Sequence, residues 1–290
     1  MIVYDLVIAP FVDFAFMRRA LAGAAALSLS ACPIGVFLML RRMSLTGDAM
    51  AHAILPGAAV GFLLAGLSLL PMTLGGLAAG LCVALLSGAA ARLTIQREDA
   101  TLAGFYLVSL ALGVLLISSK GSNIDLLHVL FGTVLALDDA ALQLIAWVAT
   151  ITLLTMAAIW RPLVAECLDP MFLSSVSRIG PVVHFLFMAL VVLNLVGGFQ
   201  ALGTLLAVGL MMLPALSARL WCQRLESMCL LAAGAGFLSC LTGLLFSYHA
   251  SLATGPSIIL TAGAFYALSL IIAPHGVIRS RRAPRRHRIA

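Results

Sequence analysis

The stretch VVHFLFMALVVLNLVGGFQALGTLLAVGLMMLPALSAR (182–219) decides the fold class of this chain. It is apolar nearly from end to end, and its only ionisable side chains are those of His184 and the terminal Arg219. A helix crosses the hydrocarbon core of a bilayer with about 20 apolar residues, so the stretch is long enough for two spans. Three glycines near its middle mark the break between these spans: Gly197, Gly198 and Gly203.

The rest of the chain has the same character. Of its 290 residues, 63% are hydrophobic and 10% are charged, and the mean hydropathy is +1.14. A soluble domain has roughly 45–50% apolar and about 25% charged residues. No single soluble core could bury this much apolar side chain, which excludes a soluble enzyme, a nucleic-acid-binding module and a disordered protein. We therefore predict an all-α fold, a polytopic transmembrane helical bundle of about eight to nine spans.

Charged residues, glycines and prolines divide the chain into candidate spans. These are 20–40, 50–66, 73–92, 101–119, 140–160, 182–199, 201–219, 228–247 and 255–273. The apolar stretch 124–137 is too short for a span and is interpreted as re-entrant or interfacial. The chain thus divides into an N-terminal segment (1–19), a transmembrane domain (20–273) and a basic tail (274–290). Small residues in GAAVG (57–61) and GLAAG (76–80) predict closely packed helices.

The net charge of +6 comes from one place. The last twelve residues hold six arginines, and without them the chain has eleven basic and eleven acidic residues. Arginines beside a span stay on the cytoplasmic side, where they contact anionic lipid. We therefore expect membrane lipid, and no nucleic acid, as the partner of the tail.

Arginine placement also predicts the orientation of the bundle. Arginines lie at the breaks near 41–42, 92–97, 161–178 and 219–224 and in the tail. With nine spans these breaks all fall on one side, which makes the C-terminus cytoplasmic and the N-terminus external. Arg18 and Arg19 then lie on the outer side, against the rule. Eight spans, or a weak additional span within 1–17, would remove that conflict.

The densest polar cluster is RRMSLTGDAMAHAILPG (41–57), between the first two spans. Asp48 and His52 are four residues apart, on one face of a helix. A carboxylate and an imidazole at this spacing suit a divalent cation such as Zn²⁺ or Mn²⁺. The alternative is a plain helix-start interaction with no metal.

Several blocks of the chain, in order, resemble the permeases of the manganese/zinc/iron-chelate ABC importer family. The most specific block is VFLMLRRMSLTGDAMAHAILPG (36–57). The other blocks are FMRRALAG (16–23), QREDATLAGFYLVSLALGVLLIS (96–118), DLLHVLFG (125–132), RPLVAECLDPMF (161–172), LLAVGLMMLPALSARL (205–220) and SYHASLATGPSIIL (247–260). The resemblance covers roughly residues 14–273.

This resemblance implies a membrane subunit that forms a homodimer, pairs with a cytoplasmic ABC ATPase and receives metal from an extracytoplasmic metal-binding protein. It places the metal path at Asp48 and His52, as transient ligands with no permanently bound cofactor. The stretch 161–180 is similar to the family's cytoplasmic block, which predicts ATPase docking there through Arg161, Asp169, Pro170 and Arg178. The family's usual Phe-Asp-Pro-Glu is Leu-Asp-Pro-Met here.

ATP chemistry must come from another chain. A P-loop needs Gly-Lys-Ser/Thr to bind phosphates. The only lysine is Lys120, and no glycine precedes it. We therefore expect no enzymatic activity in this chain and ATP hydrolysis in the partner.

Three further residues are candidates for metal contacts at the outer face: Asp125, His128 and His249. The first two are three residues apart, and the third precedes a Gly-Pro pair. The six cysteines include no CxxC pair and are interpreted as small buried hydrophobes.

We thus expect a permease of an ATP-driven importer of zinc or manganese, with zinc slightly favoured, in a bacterial inner membrane. One alternative is an ATP-independent secondary transporter of a small cation, which would show an inverted repeat of broken helices. A membrane-embedded enzyme is the other alternative, but HExxH, GxSxG and paired intramembrane aspartates are absent from the sequence.

Overall fold

A computed structural model describes residues 8–66, 68–119, 137–169 and 179–278, together with Tyr4, Leu173 and Ser177. These residues form helices and no strand. The helices are α1 (Ala9–Asp13), α2 (Ala15–Leu40), α3 (Thr46–Ala53), α4 (Leu55–Ala65), α5 (Leu69–Leu93), α6 (Glu98–Ser119), α7 (Asp139–Leu168), α8 (Gly180–Leu202), α9 (Thr204–Trp221), α10 (Leu225–Ala250) and α11 (Thr254–Ile272).

Nine helical segments of the described chain are long and apolar enough to cross a membrane, with α3 and α4 counted together. The predicted polytopic all-α bundle of eight to nine spans is confirmed. The predicted break in the long apolar stretch is also found, because α8 ends at Leu202 and α9 begins at Thr204. Gly203 forms this junction with a φ of 92°, a backbone conformation that residues with a Cβ rarely adopt.

Helices α2 and α8 form the centre of the bundle. The apolar windows of these helices are 72% and 67% buried, more than in any other described span. Phe37 of α2 is fully buried and packs against Phe187 of α8, with ring centroids 6.1 Å apart. Outer helices instead expose large apolar side chains such as Trp147, Leu154 and Leu260. Such exposure suits lipid, which solvates these side chains as well as a protein core would.

The small residues predicted to allow close packing do so between α4 and α5. A Cβ built on Gly57 would overlap the carbonyl oxygen of Gly75, and one built on Gly61 would overlap that of Pro71. The two helices are therefore in backbone contact. Gly76 and Gly80 face the side chain of Ile54, which lies between α3 and α4.

The break between α3 and α4 falls inside a span. Pro56 lies in the first turn of α4 and has no N–H to donate. Ser109 of α6 donates its hydroxyl to the carbonyl oxygen of Ala53, at 2.9 Å, next to the break. A backbone group at membrane depth that needs a further partner must find it inside the protein, because lipid supplies none.

Most of the charged side chains gather at one end of the bundle. That end holds the junctions after α2, α5, α7 and α9, and we call it the arginine-rich end; it includes Arg41, Arg42, Arg92, Arg97, Arg219 and Arg224. Arg18 and Arg19 lie at the opposite end. Arg18 donates to the carbonyl oxygens of Phe11 and Val12, and Arg19 pairs with Asp139 at 3.0 Å. Local partners thus hold both arginines at the end where the orientation rule did not place them.

Two details of the predicted organisation change. Residues 8–17 form α1, break at Phe14 and enter α2, so they make no separate span. The stretch 161–180, which follows the predicted span 140–160, begins as helix, because α7 continues to Leu168. The predicted re-entrant segment 124–137, except Leu137, and residues 279–290 of the tail lie outside the described residues.

The contact between α4 and α5 yields a test. Gly57→Leu forces a side chain into the backbone of α5, which should lower the free energy of unfolding by about 1–3 kcal/mol. We expect the melting temperature in detergent to fall by roughly 2–10 °C for a chain of this size. Gly234→Leu is the control, because a Cβ at Gly234 meets nothing within 4 Å. Equal melting temperatures for the two variants would contradict the backbone contact.

Candidate functional site

Helix α3 places Asp48 and His52 one turn apart on one face. The Nε2 atom of His52 lies 3.8 Å from Oδ1 of Asp48. The side chain of Asp48 is 68% exposed and that of His52 is 31% exposed, although buried residues such as Ala49, Met50 and Ala53 make up the rest of the helix. At 3.8 Å the two groups form no strong hydrogen bond, so their lone pairs can turn toward a shared cation.

Tyr106 of α6 fixes the other side of the imidazole. Its ring stacks on that of His52, with centroids 6.3 Å apart and an interplanar angle of 27°. The stacking covers one face of the His52 ring, and the nitrogen atoms at the edge of that ring remain accessible on the side of Asp48. Ser109 lies one turn further along α6 and anchors Ala53 of α3, so the same helix holds the site at two levels.

Asp48 opens into a cleft of about 380 Å³ at the arginine-rich end. The lining includes a second carboxylate, a cation and several hydroxyls: Asp48, Asp99, Arg42, Ser44, Thr46 and Tyr106. Asp99 and Tyr106 were not among the predicted site residues. They lie seven residues apart in the block 96–118, hence on one helix face, and that spacing is the signal that could have identified them.

The cleft also contains a strained residue. Arg42 has a φ of 61°, in the left-handed region. This conformation costs a residue with a Cβ roughly 1–2 kcal/mol. It ends α2 sharply and sends the side chains of Arg41 and Arg42 to different places: Arg42 lines this cleft, and Arg41 contacts α7 and α8.

The chain on its own supplies few metal ligands. No group of three or more His, Cys, Asp or Glu side chains that could hold a metal ion is present in the described part of the chain. Asp48 and His52 therefore form at most a two-ligand site in one copy. A cation there must complete its coordination with water, with hydroxyls of the cleft or with another chain.

The other predicted site residues do not join this pair. His249 lies in the last turn of α10, at the opposite end, with its ring 5.2 Å from that of Tyr248. Arg161 lies in α7, and Asp169 follows the last residue of that helix. Asp125, His128, Pro170 and Arg178 lie outside the described residues.

The nine apolar helical segments of the described residues make the chain a multi-pass membrane protein, and a cleft lined by ionisable side chains lies at the arginine-rich end of its bundle. The family model of the ABC 3 transport family matches residues 13–273, so the chain belongs to that family. The resemblance to metal-ion ABC importer permeases predicted from the sequence blocks is confirmed.

Named relatives span the same length. The chain is 35% identical over 271 residues to the manganese import system permease protein ScaB of Streptococcus parasanguinis, covering 92% of this chain and 95% of the relative. It is 28% identical to the chelated iron transport system membrane protein YfeD of Yersinia pestis, covering 92% and 89%. A solved structure, PsaBC from Streptococcus pneumoniae in complex with Fab, superposes with a TM-score of 0.83 at 33% identity, covering 96% of this chain and all of that one.

Proposed function

We propose that this chain is the permease subunit of an ATP-driven importer of Mn²⁺ in the inner membrane of a bacterium. The observation that carries the proposal is the family match over residues 13–273, together with a carboxylate–imidazole pair whose carboxylate, Asp48, lines a cleft of the bundle. A separate ATPase supplies the energy, an extracytoplasmic metal-binding protein delivers the ion, and two copies of the permease enclose the path. No cofactor is bound permanently, and the metal is the cargo.

The donor set favours manganese over zinc. Carboxylate, hydroxyl and water oxygens are the ligands that suit Mn²⁺, whereas Zn²⁺ prefers nitrogen and sulfur. The cleft contains Asp48, Asp99 and three hydroxyl groups, with a single imidazole beside them and no cysteine. ScaB is named for manganese import. We therefore replace the slight preference for zinc that the sequence suggested with a preference for manganese.

The cleft is suited to transit and not to storage. A transport site must bind its ion strongly enough to admit it and weakly enough to release it. Asp48 and His52 provide two ligands, and Arg42 adds a positive charge to the same cleft. That charge repels a metal cation, which lowers the affinity of the site and favours release.

By the positive-inside rule the arginine-rich end faces the cytoplasm. Asp48 then lies near the exit of the path, and the chain ends on the cytoplasmic side after α11. His249 lies at the outer end, and we keep it, with Asp125 and His128, as a candidate for outer contacts with the delivered metal.

The end of α7 supports an ATPase docking role for the segment that follows. The helix has 30 residues, so it is about 45 Å long at 1.5 Å per residue. The hydrocarbon core is only about 30 Å thick, so α7 extends past the membrane and carries Asp169 toward a cytoplasmic partner. Arg161, Pro170 and Arg178 belong to the same proposed docking segment.

Loss of either metal ligand should abolish most transport. In proteoliposomes that hold permease, ATPase and binding protein, Asp48→Asn and His52→Gln should each lower ⁵⁴Mn²⁺ uptake by roughly tenfold or more, because a two-ligand site has none to spare. Expression and ATPase association should stay normal, since both side chains are partly exposed.

Asp13→Asn is the matched control for this test, because Asp13 is an exposed carboxylate at the opposite end. Wild-type uptake by Asp48→Asn and His52→Gln would show that the pair is only a helix-start interaction.

The preference for manganese can be measured directly. With the binding protein and ATPase present, unlabelled Mn²⁺ should compete with ⁵⁴Mn²⁺ uptake at a lower concentration than Zn²⁺ does. The reverse order would restore the preference for zinc. Uptake that proceeds without ATPase or ATP would favour a secondary transporter instead.

The docking segment is tested by charge reversal. Asp169→Arg should weaken copurification of the ATPase while the permease still inserts into the membrane. Glu226→Arg makes the same change of charge at the same end, on the exposed first turn of α10, and should leave the association unchanged. Equal recovery of ATPase with both variants would argue against docking at residue 169.

A further inference from the structure

Four ionisable side chains from four different helices meet at the arginine-rich end. We call them the four-helix ion cluster: Arg41 after α2, Glu98 at the start of α6, Glu166 near the end of α7 and His184 near the start of α8. They gather in a bundle whose buried residues are mostly apolar or small. Sequence reasoning left these residues without a role in the site.

His184 connects the other three members. Its Nε2 atom lies 2.7 Å from Oε1 of Glu98, and its Nδ1 atom lies 3.1 Å from Nη1 of Arg41. The same Nδ1 atom is 3.6 Å from Oε1 of Glu166. Removal of the imidazole would therefore separate Glu98 from the other two charges.

Arg41 and Glu166 form the second link. Their Nη2 and Oε2 atoms are 2.9 Å apart, but these atoms are poorly aligned for a hydrogen bond, so the contact is mainly one of charge. The guanidinium also donates to the sulfur of Cys167 at 3.2 Å and lies 4.6 Å from the ring centroid of Phe187. These contacts hold α2 against α7 and α8.

The cluster is poorly explained as a device for stability alone. The side chains of Arg41 and Glu166 are only 8% and 10% exposed, and that of His184 is 16% exposed. Burial of paired charges is costly, and well-packed apolar side chains often stabilise a site equally well. Buried ion pairs can instead specify one arrangement of the elements that carry them.

The positions of the four residues in the chain indicate which arrangement is specified. Glu166 lies within the proposed docking segment (161–180), and His184 follows its end by four residues. Arg41 and Glu98 directly precede Arg42 and Asp99, which line the cleft of Asp48. The cluster therefore connects two regions directly. One is the end of α7 and the start of α8, on either side of residues 169–179; the other is the chain at Arg42 and Asp99, which line the metal cleft.

The space beside the cluster allows it to rearrange. A cavity of about 570 Å³ is lined by members of the cluster and by Arg42 and Arg92. Arg92 is a cation outside the cluster that lines the same cavity, and it can pair with Glu98 once the contact with His184 opens. A close-packed core would offer no such room.

We propose that the four-helix ion cluster is the coupling relay of the permease, which transmits movement of the docking segment to the metal cleft. When the ATPase displaces the ends of α7 and α8, Glu166 and His184 move, and they carry Arg41 and Glu98 with them. The neighbouring residues Arg42 and Asp99 then change the mouth of the cleft. The relay rests on the proposed function, because it assumes an ATPase at the docking segment and a metal path at Asp48.

The test measures how many metal ions are taken up per ATP hydrolysed. His184→Leu removes the imidazole that connects Glu98 to Arg41 and Glu166, and it leaves the Arg41–Glu166 pair intact. The side chain of Glu98 is 30% exposed, so water can solvate it once the imidazole is gone. In the complete complex supplied with MnCl₂, we expect continued ATP hydrolysis with the ratio of Mn²⁺ to ATP lowered by roughly tenfold, within the usual range of coupling between two sites.

Arg19→Leu is the matched control, because Arg19 also lies on α2 and pairs with α7, through Asp139, but at the opposite end. It should retain the wild-type ratio. The same low ratio in both variants, or the wild-type ratio in both, would overturn the relay. A wild-type complex that takes up no Mn²⁺ would overturn the proposed function instead.

A second measurement needs no ATPase. Ser44 lines the cleft and is exposed, so Ser44→Cys reports access to it through the rate of labelling by a polar thiol reagent. In the purified permease we expect this rate to rise several-fold in the His184→Leu background and to stay unchanged in the Arg19→Leu background. Equal rates in the two backgrounds would overturn the relay even if the His184→Leu complex does not assemble.

Discussion

The lack of hydrogen-bonding partners in lipid is the constraint on which this structure depends. Every backbone N–H and C=O at membrane depth must be satisfied within the protein, so the chain crosses as helices. At the break between α3 and α4, which falls inside a span, the Ser109 hydroxyl donates to the carbonyl oxygen of Ala53. That bond ties the short helix α3 to α6. It also fixes the helix that carries Asp48 and His52 beside the one that carries Asp99 and Tyr106.

The same constraint explains why the chemistry is concentrated at one end. Ionisable side chains are costly within the hydrocarbon core, so they collect where helices begin and end. At the arginine-rich end, Arg41 and Arg42 follow each other in sequence, and so do Glu98 and Asp99. One member of each pair enters the four-helix ion cluster and the other lines the metal cleft. The ion cluster and the metal cleft are therefore neighbours that share the chain segments 41–42 and 98–99.

Sequence reasoning identified the residues whose signal is local. Asp48 and His52 lie one helical turn apart, and a spacing of four residues is enough to predict a shared face. It also identified the break near Gly203 and the close packing of Gly57. It missed Asp99 and Tyr106, which reach the site from another helix, and it ended the fifth span at residue 160, where α7 continues to Leu168. Hydropathy indicates where a span is possible, but it does not set where a helix ends once other helices pack against it.

The sequence by itself determined the fold class and the family of this protein, because apolar length and ordered sequence blocks are properties of the chain alone. Only the tertiary structure decided which charges meet. Arg41, Glu98, Glu166 and His184 are separated by up to 143 residues, and no pattern along the chain relates them. They come together because the ends of α2 and α7 meet the starts of α6 and α8 at the arginine-rich end. The pairing of opposite charges there lowers the cost of removing them from water. In the same way, the ion pair with Asp139 stabilises Arg19 at the opposite end of the bundle.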